Sequence, residues 1–337
     1  MSTVGTAGRG RLVVALGGNA LITRHQRPDA APQLLNVERA VAALAPLARD
    51  HDLIITHGNG PQVGLLALES SSDPTLAVPY PLDALGAETQ GLIGYWLAQA
   101  VGNALTGSEV VAIVTRALVS SDDPAFTNPT KFIGAVYGEP VARDLAATRG
   151  WTVAADGAGW RRVVASPEPV GVVEMALIRR LVDGGTVVVC GGGGGIPVAD
   201  DGTGRLSGVE AVIDKDLTSA FIAEALGADA LLLLTDVDAV ISGFGTPAAA
   251  PIHRSTPAAL RNQEFPAGSM GPKVDAACRF VERTGAMAAI GALADAQAIV
   301  AGNAGTIVTR SGDYCPTGAT AAVTPAVTPS ATTASGT

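Results

Sequence analysis

Leu12-Val13-Val14-Ala15-Leu16 runs without a break into Gly17-Gly18-Asn19, and this junction sets the architecture. An unbroken apolar run reads as a strand covered on both faces, the usual state of a strand in a parallel sheet. The glycine pair at its carboxyl end reads as a turn made for close backbone approach. The pattern recurs. Leu53-Ile54-Ile55-Thr56 leads into His57-Gly58-Asn59-Gly60-Pro61, and Thr186-Val187-Val188-Val189 leads into Cys190 and then Gly191-Gly192-Gly193-Gly194-Gly195. Further strand-like runs lie at 110–115, 231–235 and 306–309. Between the runs, Val37, Val41, Leu44 and Leu47 keep helical spacing, as do Leu177, Ile178 and Leu181. Helices are also expected over 86–103, 214–226 and 272–283, the last with proline in its first turn. Strands alternating with helices predict an α/β fold around a mainly parallel central sheet.

The chain has 337 residues, enough for one large domain or two lobes. Hydrophobic residues at 47% exclude a disordered, solvating protein. A net charge of −9 leaves no basic surplus to neutralise a phosphate backbone, and aromatics at 4% leave little to stack on bases, so nucleic acid is not the expected partner. Cys190, Cys278 and Cys315 are too scattered for a disulfide framework or a zinc site, and the first two read as small buried thiols. No apolar run approaches the ~20 residues that span a bilayer. The opening MSTVGTAGRGR lacks a signal-peptide core, so a cytoplasmic protein with no membrane partner is expected. Residues 1–10 are expected to be flexible and the Thr-, Ala- and Pro-rich tail, 311–337, disordered. Residues 120–169, rich in Pro, Asp, Trp and Gly, break the alternation and read as a lid, subdomain or binding loop.

Ligands of open α/β sheets sit at the carboxyl ends of the strands. Three glycine turns at such ends therefore belong near one crevice, where successive N–H groups and helix N-termini suit a phosphate or carboxylate. None of them fits the Walker P-loop or the dinucleotide-binding G-x-G-x-x-G pattern, which argues against both classes. The basic residues add a second signal. Of 22, only Lys131, Lys215 and Lys273 are lysine. A chain that uses arginine wherever either residue serves keeps lysine where a compact ammonium is needed. Lys131 lies in the insertion, within Asn128-Pro129-Thr130-Lys131, and the other two lie at helix starts. Phosphoryl transfer asks mainly for positioning and for neutralised oxygens, which several lysines held by a neighbouring aspartate would supply. Asp214 and Asp216 also suit the capping of a helix N-terminus. His57 reads as a ring packed or hydrogen-bonded below its turn. His25, His51 and His253 show no metal spacing, so no protein-held metal is expected, only Mg²⁺ arriving with a nucleotide.

Together these motifs resemble carbamate kinase, of the amino-acid-kinase superfamily. The stretches LVVALGGNALI, ITHGNGPQVG, TQGLIGYWLA, NPTKFIG, GWRRVVASPEP, GGGGIPV, GVEAVIDKDL, LLLLTDVDAV and FPAGSMGPKVDAA carry the resemblance in order across residues 12–308. GGNA and TDVD are common to the superfamily, whereas NPTK, GWRRVV and VIDKD are more specific. The resemblance implies a three-layer αβα sandwich with an open, mainly parallel sheet of about eight strands and a small protruding subdomain at about 120–169. It implies an N-terminal lobe, 11–210, for carbamoyl phosphate and the moving phosphoryl group, and a C-terminal lobe, 211–310, for nucleotide. The implied reaction is reversible, Mg²⁺-dependent transfer between carbamoyl phosphate and ADP, giving ATP and carbamate, in a homodimer. Gly17, Gly18, Asn19, Gly58, Asn59 and Gly60 are implied to bind the carbamoyl or transferred phosphoryl end. Lys131, Lys215 and Lys273 would neutralise the phosphoryl group, with Asp216 orienting lysines. Asp214, Thr235, Asp236, Asp238 and Met270 would lie by the nucleotide. Superfamily relatives that phosphorylate acetylglutamate or UMP usually carry a lysine just before the first glycine pair. Here that place is taken by Ala15, and Lys131 is implied to replace the missing lysine. The five-glycine run and the short, Ala-rich segment 242–251 depart from the family pattern. The competing readings are a sister kinase acting on another small acid and a silent nucleotide-binding protein.

Overall fold

A computed structural model describes residues 9–22, 26–266 and 268–313, with only the backbone of Asn19 and Ala20. His25, Cys315, most of the expected flexible N-terminus and most of the expected disordered tail lie outside the described residues. The central sheet has eight strands. From edge to edge they are Arg254–Ser255, Thr306–Val308, Met287–Ala292, Ala230–Thr235, Gly10–Leu16, His51–His57, Val187–Val189 and Val110–Ala112. Every neighbouring pair is parallel except Thr306–Val308 against Met287–Ala292.

Side chains alternate across a strand, so the apolar run of Gly10–Leu16 feeds two cores. Leu12, Val14 and Leu16 meet Val41 and Leu44 of helix Ala30–Asp50 and Ile93 and Leu97 of helix Leu82–Ala104. Val13 and Ala15 face the opposite core, with Ile178 of helix Met175–Asp183, Ile222 of helix Lys215–Leu226 and Phe280 of helix Met270–Thr284. All these side chains are essentially buried, and each full Leu, Ile, Val or Phe burial contributes about 1.5–3 kcal/mol. The result is the expected three-layer αβα sandwich. No helix among the described residues is long and apolar enough to cross a membrane.

One central strand lies outside the expected runs, and one expected run is cut short. Met287–Ala292, Met-Ala-Ala-Ile-Gly-Ala, has a single β-branched residue and little of the look of a strand. Neighbours on both sides make it one, and its small residues are needed there: a Cβ on Gly291 would lie 2.7 Å from Ile299 Cδ1. The strand expected over 110–115 ends at Ala112. The Gln90 side chain draws Thr115 out of the ladder, accepting from its N–H at 2.8 Å and donating to its carbonyl at 3.0 Å.

Within the insertion, Lys131–Tyr137, Gly159–Val164 and Thr152–Asp156 form an antiparallel sheet with helix Glu139–Arg149. Its partly buried aromatic rings are covered by arginines: Arg162 and Arg149 lie 5.0 and 5.3 Å from the Trp151 ring, and Arg143 lies 5.2 Å from Trp160. Ile133 and Val164 seat this sheet on Val63, Leu82 and Leu85 of the main body. Glu210 adds a polar tie, accepting from Arg162 Nη2 at 2.9 Å and from the Leu82 N–H at 2.8 Å. A further four-stranded sheet, Leu206–Gly208, Ile196–Asp200, Arg116–Val119 and Pro169–Val172, joins the insertion to the central sheet.

Candidate active site

The first two glycine turns extend the sheet ladder past the strand ends. The Gly17 N–H donates to the Leu234 carbonyl and the Gly58 N–H to the Leu16 carbonyl, both at 2.9 Å. The turns touch: a Cβ on Gly58 would lie 2.9 Å from Gly18 N. Helix Gly60–Ser72 leaves the second turn with Pro61 in its first turn, where the missing N–H costs nothing.

The third run behaves differently from the expectation of another anion cradle. Gly191 to Gly195 are all buried, and of them only Gly193 lines the main cavity. The run is a floor. A Cβ on Gly192 would lie 2.5 Å from the His57 ring, and one on Gly193 would lie 2.2 Å from Asn59 Nδ2. Gly194 has φ +93°, and its Cβ would stand 2.6 Å from the Ile213 carbonyl oxygen. Gly194→Ala is therefore expected to cost about 2 kcal/mol or more, read as a lower urea midpoint. An unchanged midpoint would show that the floor tolerates side chains.

His57 ends its strand fully buried, with Nδ1 3.1 Å from the Gly58 carbonyl oxygen, as expected of a ring hydrogen-bonded below the turn. Burial holds its pKa down to about 4; the Gly58 hydrogen bond opposes this and the Lys215 charge adds to it. The imidazole is thus neutral at physiological pH.

The three lysines arrive from separate elements: Lys131 from the insertion strand Lys131–Tyr137, Lys215 from the start of helix Lys215–Leu226, and Lys273 from the start of helix Met270–Thr284. Two aspartates collect them. Asp214 caps its helix by accepting the Asp216 N–H at 2.9 Å, and its other oxygen accepts from Lys131 Nζ at 2.6 Å. The Asp216 carboxylate is buried, with one oxygen on Lys215 Nζ and the other 3.1 Å from Lys273 Nζ. Burial alone would raise its pKa, but the two ammoniums outweigh burial and hold it at about 2. Burial pulls Lys215 below the ordinary lysine value, Asp216 opposing and Lys273 adding. An anion placed among these groups would meet concentrated positive charge in a poorly solvated setting, where Coulomb attraction is strong.

That place exists. A cavity of about 420 Å³ is lined by Gly17, Gly18, Gly58, Asn59 and Gly60 together with the three lysines, Asp214 and Asp216. Thr235, Asp236 and Met270 also line it. Asp238 is exposed and does not line the cavity, and the Asn19 side chain lies outside the described residues. Ala15 is fully buried in the core. Sequence reading missed the apolar wall made by Ile241, Phe244 and Phe265. Phe244 is 71% exposed, although it lines the cavity, and a bulky aromatic set between Gly243 and Gly245 was the available signal.

Known proteins place this architecture. The sequence profile of the amino acid kinase family matches residues 10–291. Carbamate kinase of Rhizobium meliloti is 52% identical over 305 residues, which cover 89% of this chain and 94% of that one. Carbamate kinase of Pyrococcus horikoshii is 45% identical over 311 residues, 89% of this chain and 99% of that one. The structure of Giardia lamblia carbamate kinase bound to AMP-PNP matches with a TM-score of 0.83 at 38% identity, covering 90% of this chain and 99% of that one. The chain belongs to the amino acid kinase family, as an enzyme of its carbamate kinase branch.

Proposed function

We propose that this protein transfers a phosphoryl group reversibly between carbamoyl phosphate and ADP, giving ATP and carbamate, which falls apart to ammonia and CO₂. One observation carries the reading: Asp214 and Asp216 gather Lys131, Lys215 and Lys273 beside two glycine turns, in the wall of a cavity that Ile241, Phe244 and Phe265 also line. The turns at Gly17, Gly18, Asn19, Gly58, Asn59 and Gly60 close around the carbamoyl phosphate; the Gly17 and Gly58 N–H groups hold the turns to the sheet, so the N–H groups presented to the ligand come from the other four residues. The lysines hold the moving phosphoryl group, and Asp216 orients Lys215 and Lys273. As the bond from phosphorus to the carbamoyl oxygen breaks, a bond to the terminal phosphate oxygen of ADP forms in line, and the lysines neutralise the equatorial oxygens throughout.

The nucleotide base lies against Ile241, Phe244 and Phe265, with Thr235, Asp236 and Met270 beside its sugar and phosphates. Asp238 would act there only through its backbone or after a change of conformation. Both carboxylates at the phosphoryl end are engaged by lysine, and no metal-holding cluster of His, Cys, Asp or Glu occurs among the described residues. The donor set therefore suits Mg²⁺ carried on nucleotide phosphates, where it would offset charge between the two phosphate groups.

In this reading residues 11–210, with the protrusion at 120–169, serve the carbamoyl phosphate, and 211–310 serve the nucleotide. A cytoplasmic homodimer is part of the proposal. The outer sheet edge at Val110–Ala112, flanked by exposed Leu92 and Tyr95, supplies a face for a second copy.

The test is ATP formation from ADP and Mg²⁺ with carbamoyl phosphate or with acetyl phosphate. Faster turnover of carbamoyl phosphate is expected, and the reverse order would favour the sister-kinase reading. Phe244→Ala should raise KM for ADP several-fold with kcat nearly unchanged, because stacking on the base is the same in the ground and transition states. A fall in kcat at constant KM would remove Phe244 from base binding.

A further inference from the structure

We infer that His57 is a positioning residue: by holding the Gly58 carbonyl from beneath the turn, it aims the Asn59 N–H into the phosphoryl end of the cavity. This rests on the activity proposed above and adds a residue to it.

The ring does not line the main cavity. It lines a smaller one of about 230 Å³ on the other side of the turn, together with Gln90, Cys190 and Gly192. A carbonyl oxygen only accepts, so the 3.1 Å contact with Gly58 requires the hydrogen on Nδ1 and leaves Nε2 bare. The Gly58–Asn59 peptide is trans, as are all described peptides. In a planar trans peptide the C=O and the following N–H point in opposite directions. A Gly58 carbonyl turned toward the buried ring therefore turns the Asn59 N–H away from it, toward the cavity that Gly58 and Asn59 both line.

The surroundings fix this arrangement. A side chain at Gly192 would collide with the ring at Cε1 and Nε2, both 2.5 Å from the Cβ position. The Asn59 side chain donates to Thr89 Oγ1 at 2.8 Å, so it cannot swing to replace its own N–H. Two glycines of the run gain a reason here: Gly192 and Gly193 clear the space in which the ring and the Asn59 side chain lie. Catalysis is sensitive to such aim, because donors placed about 1 Å wrong can cost roughly 100-fold.

Two substitutions separate aim from packing. Asparagine sets its amide nitrogen near the place of Nδ1, whereas glutamine reaches the place of Nε2. His57→Asn should retain most of the wild-type kcat. His57→Gln should lose about 100-fold in kcat, with KM for ADP within about 2-fold. Equal kcat values for the two variants, whether both high or both low, would overturn the inference. A second readout needs no variant to fold and no substrate: ¹⁵N NMR of histidine-labelled wild-type protein. One ring should stay neutral down to about pH 5, consistent with its pKa of about 4, and should carry its hydrogen on Nδ1. A hydrogen on Nε2 of that ring would overturn the inference. A wild-type protein that makes no ATP from carbamoyl phosphate would count against the proposed activity and leave the NMR result to judge His57.

Discussion

Asp216→Asn is expected to lower turnover by about three orders of magnitude, the largest effect of any single substitution considered for this protein. The carboxylate accepts from Lys215 with one oxygen and from Lys273 with the other. Asparagine keeps the shape and one acceptor, but presents an N–H₂ donor to the second ammonium. One lysine must then move, and the cluster loses the charge that keeps two buried ammoniums together. Stability should fall as well, by about 3–5 kcal/mol, since removal of one partner strands buried charge. The effect has a pH signature. The folded carboxylate titrates at about 2 against an ordinary value of 3.8, so its contribution to stability is present above 3.8 and is lost as pH falls toward 2. Urea unfolding of wild type and variant should converge across that window. Parallel curves throughout would show that Asp216 does not carry this linkage.

Lys131→Ala should separate activity from stability. Its side chain is one-third exposed and its ammonium is tied to Asp214 at 2.6 Å, a pair that contributes only about 0–1 kcal/mol to folding. Its charge points into the cavity, where a group aimed at the transferring phosphoryl oxygens is worth about 2.7–4 kcal/mol of barrier, or about 100- to 1,000-fold in kcat. A large fall in kcat with a nearly unchanged melting temperature is expected. Retention of most activity would remove Lys131 from the mechanism. Equal damage to stability would reassign it to structure.

Much of this arrangement was legible in the sequence, and the reasons are physical. Unbroken apolar runs mark buried parallel strands, and 12–16, 53–56 and 231–235 all lie in the centre of the sheet. Lysine survives at three places in an arginine-heavy chain, and folding brings those three to two adjacent aspartates. What stayed hidden depends on partners distant in sequence. Met287–Ala292 is a strand because its neighbours supply the ladder, not because Ala and Gly favour one. Thr115 leaves the sheet because of Gln90, 25 residues away. The third glycine run looks like a cradle but is a floor, since only the folded chain brings His57, Asn59 and Ile213 against it. Phe244 looks like a loop residue until the hairpin Val240–Ser242 with Ala250–Ile252 carries it to the cavity mouth.

The measurement to make is ATP formation from ADP, Mg²⁺ and carbamoyl phosphate, followed by a coupled assay in wild type and Lys131→Ala side by side. Rapid, Mg²⁺-dependent synthesis by the wild type, reduced at least about 100-fold in the variant, is the predicted result. Wild-type protein that binds ADP yet forms no ATP, or a variant as fast as wild type, would contradict the account of lysines gathered around a moving phosphoryl group.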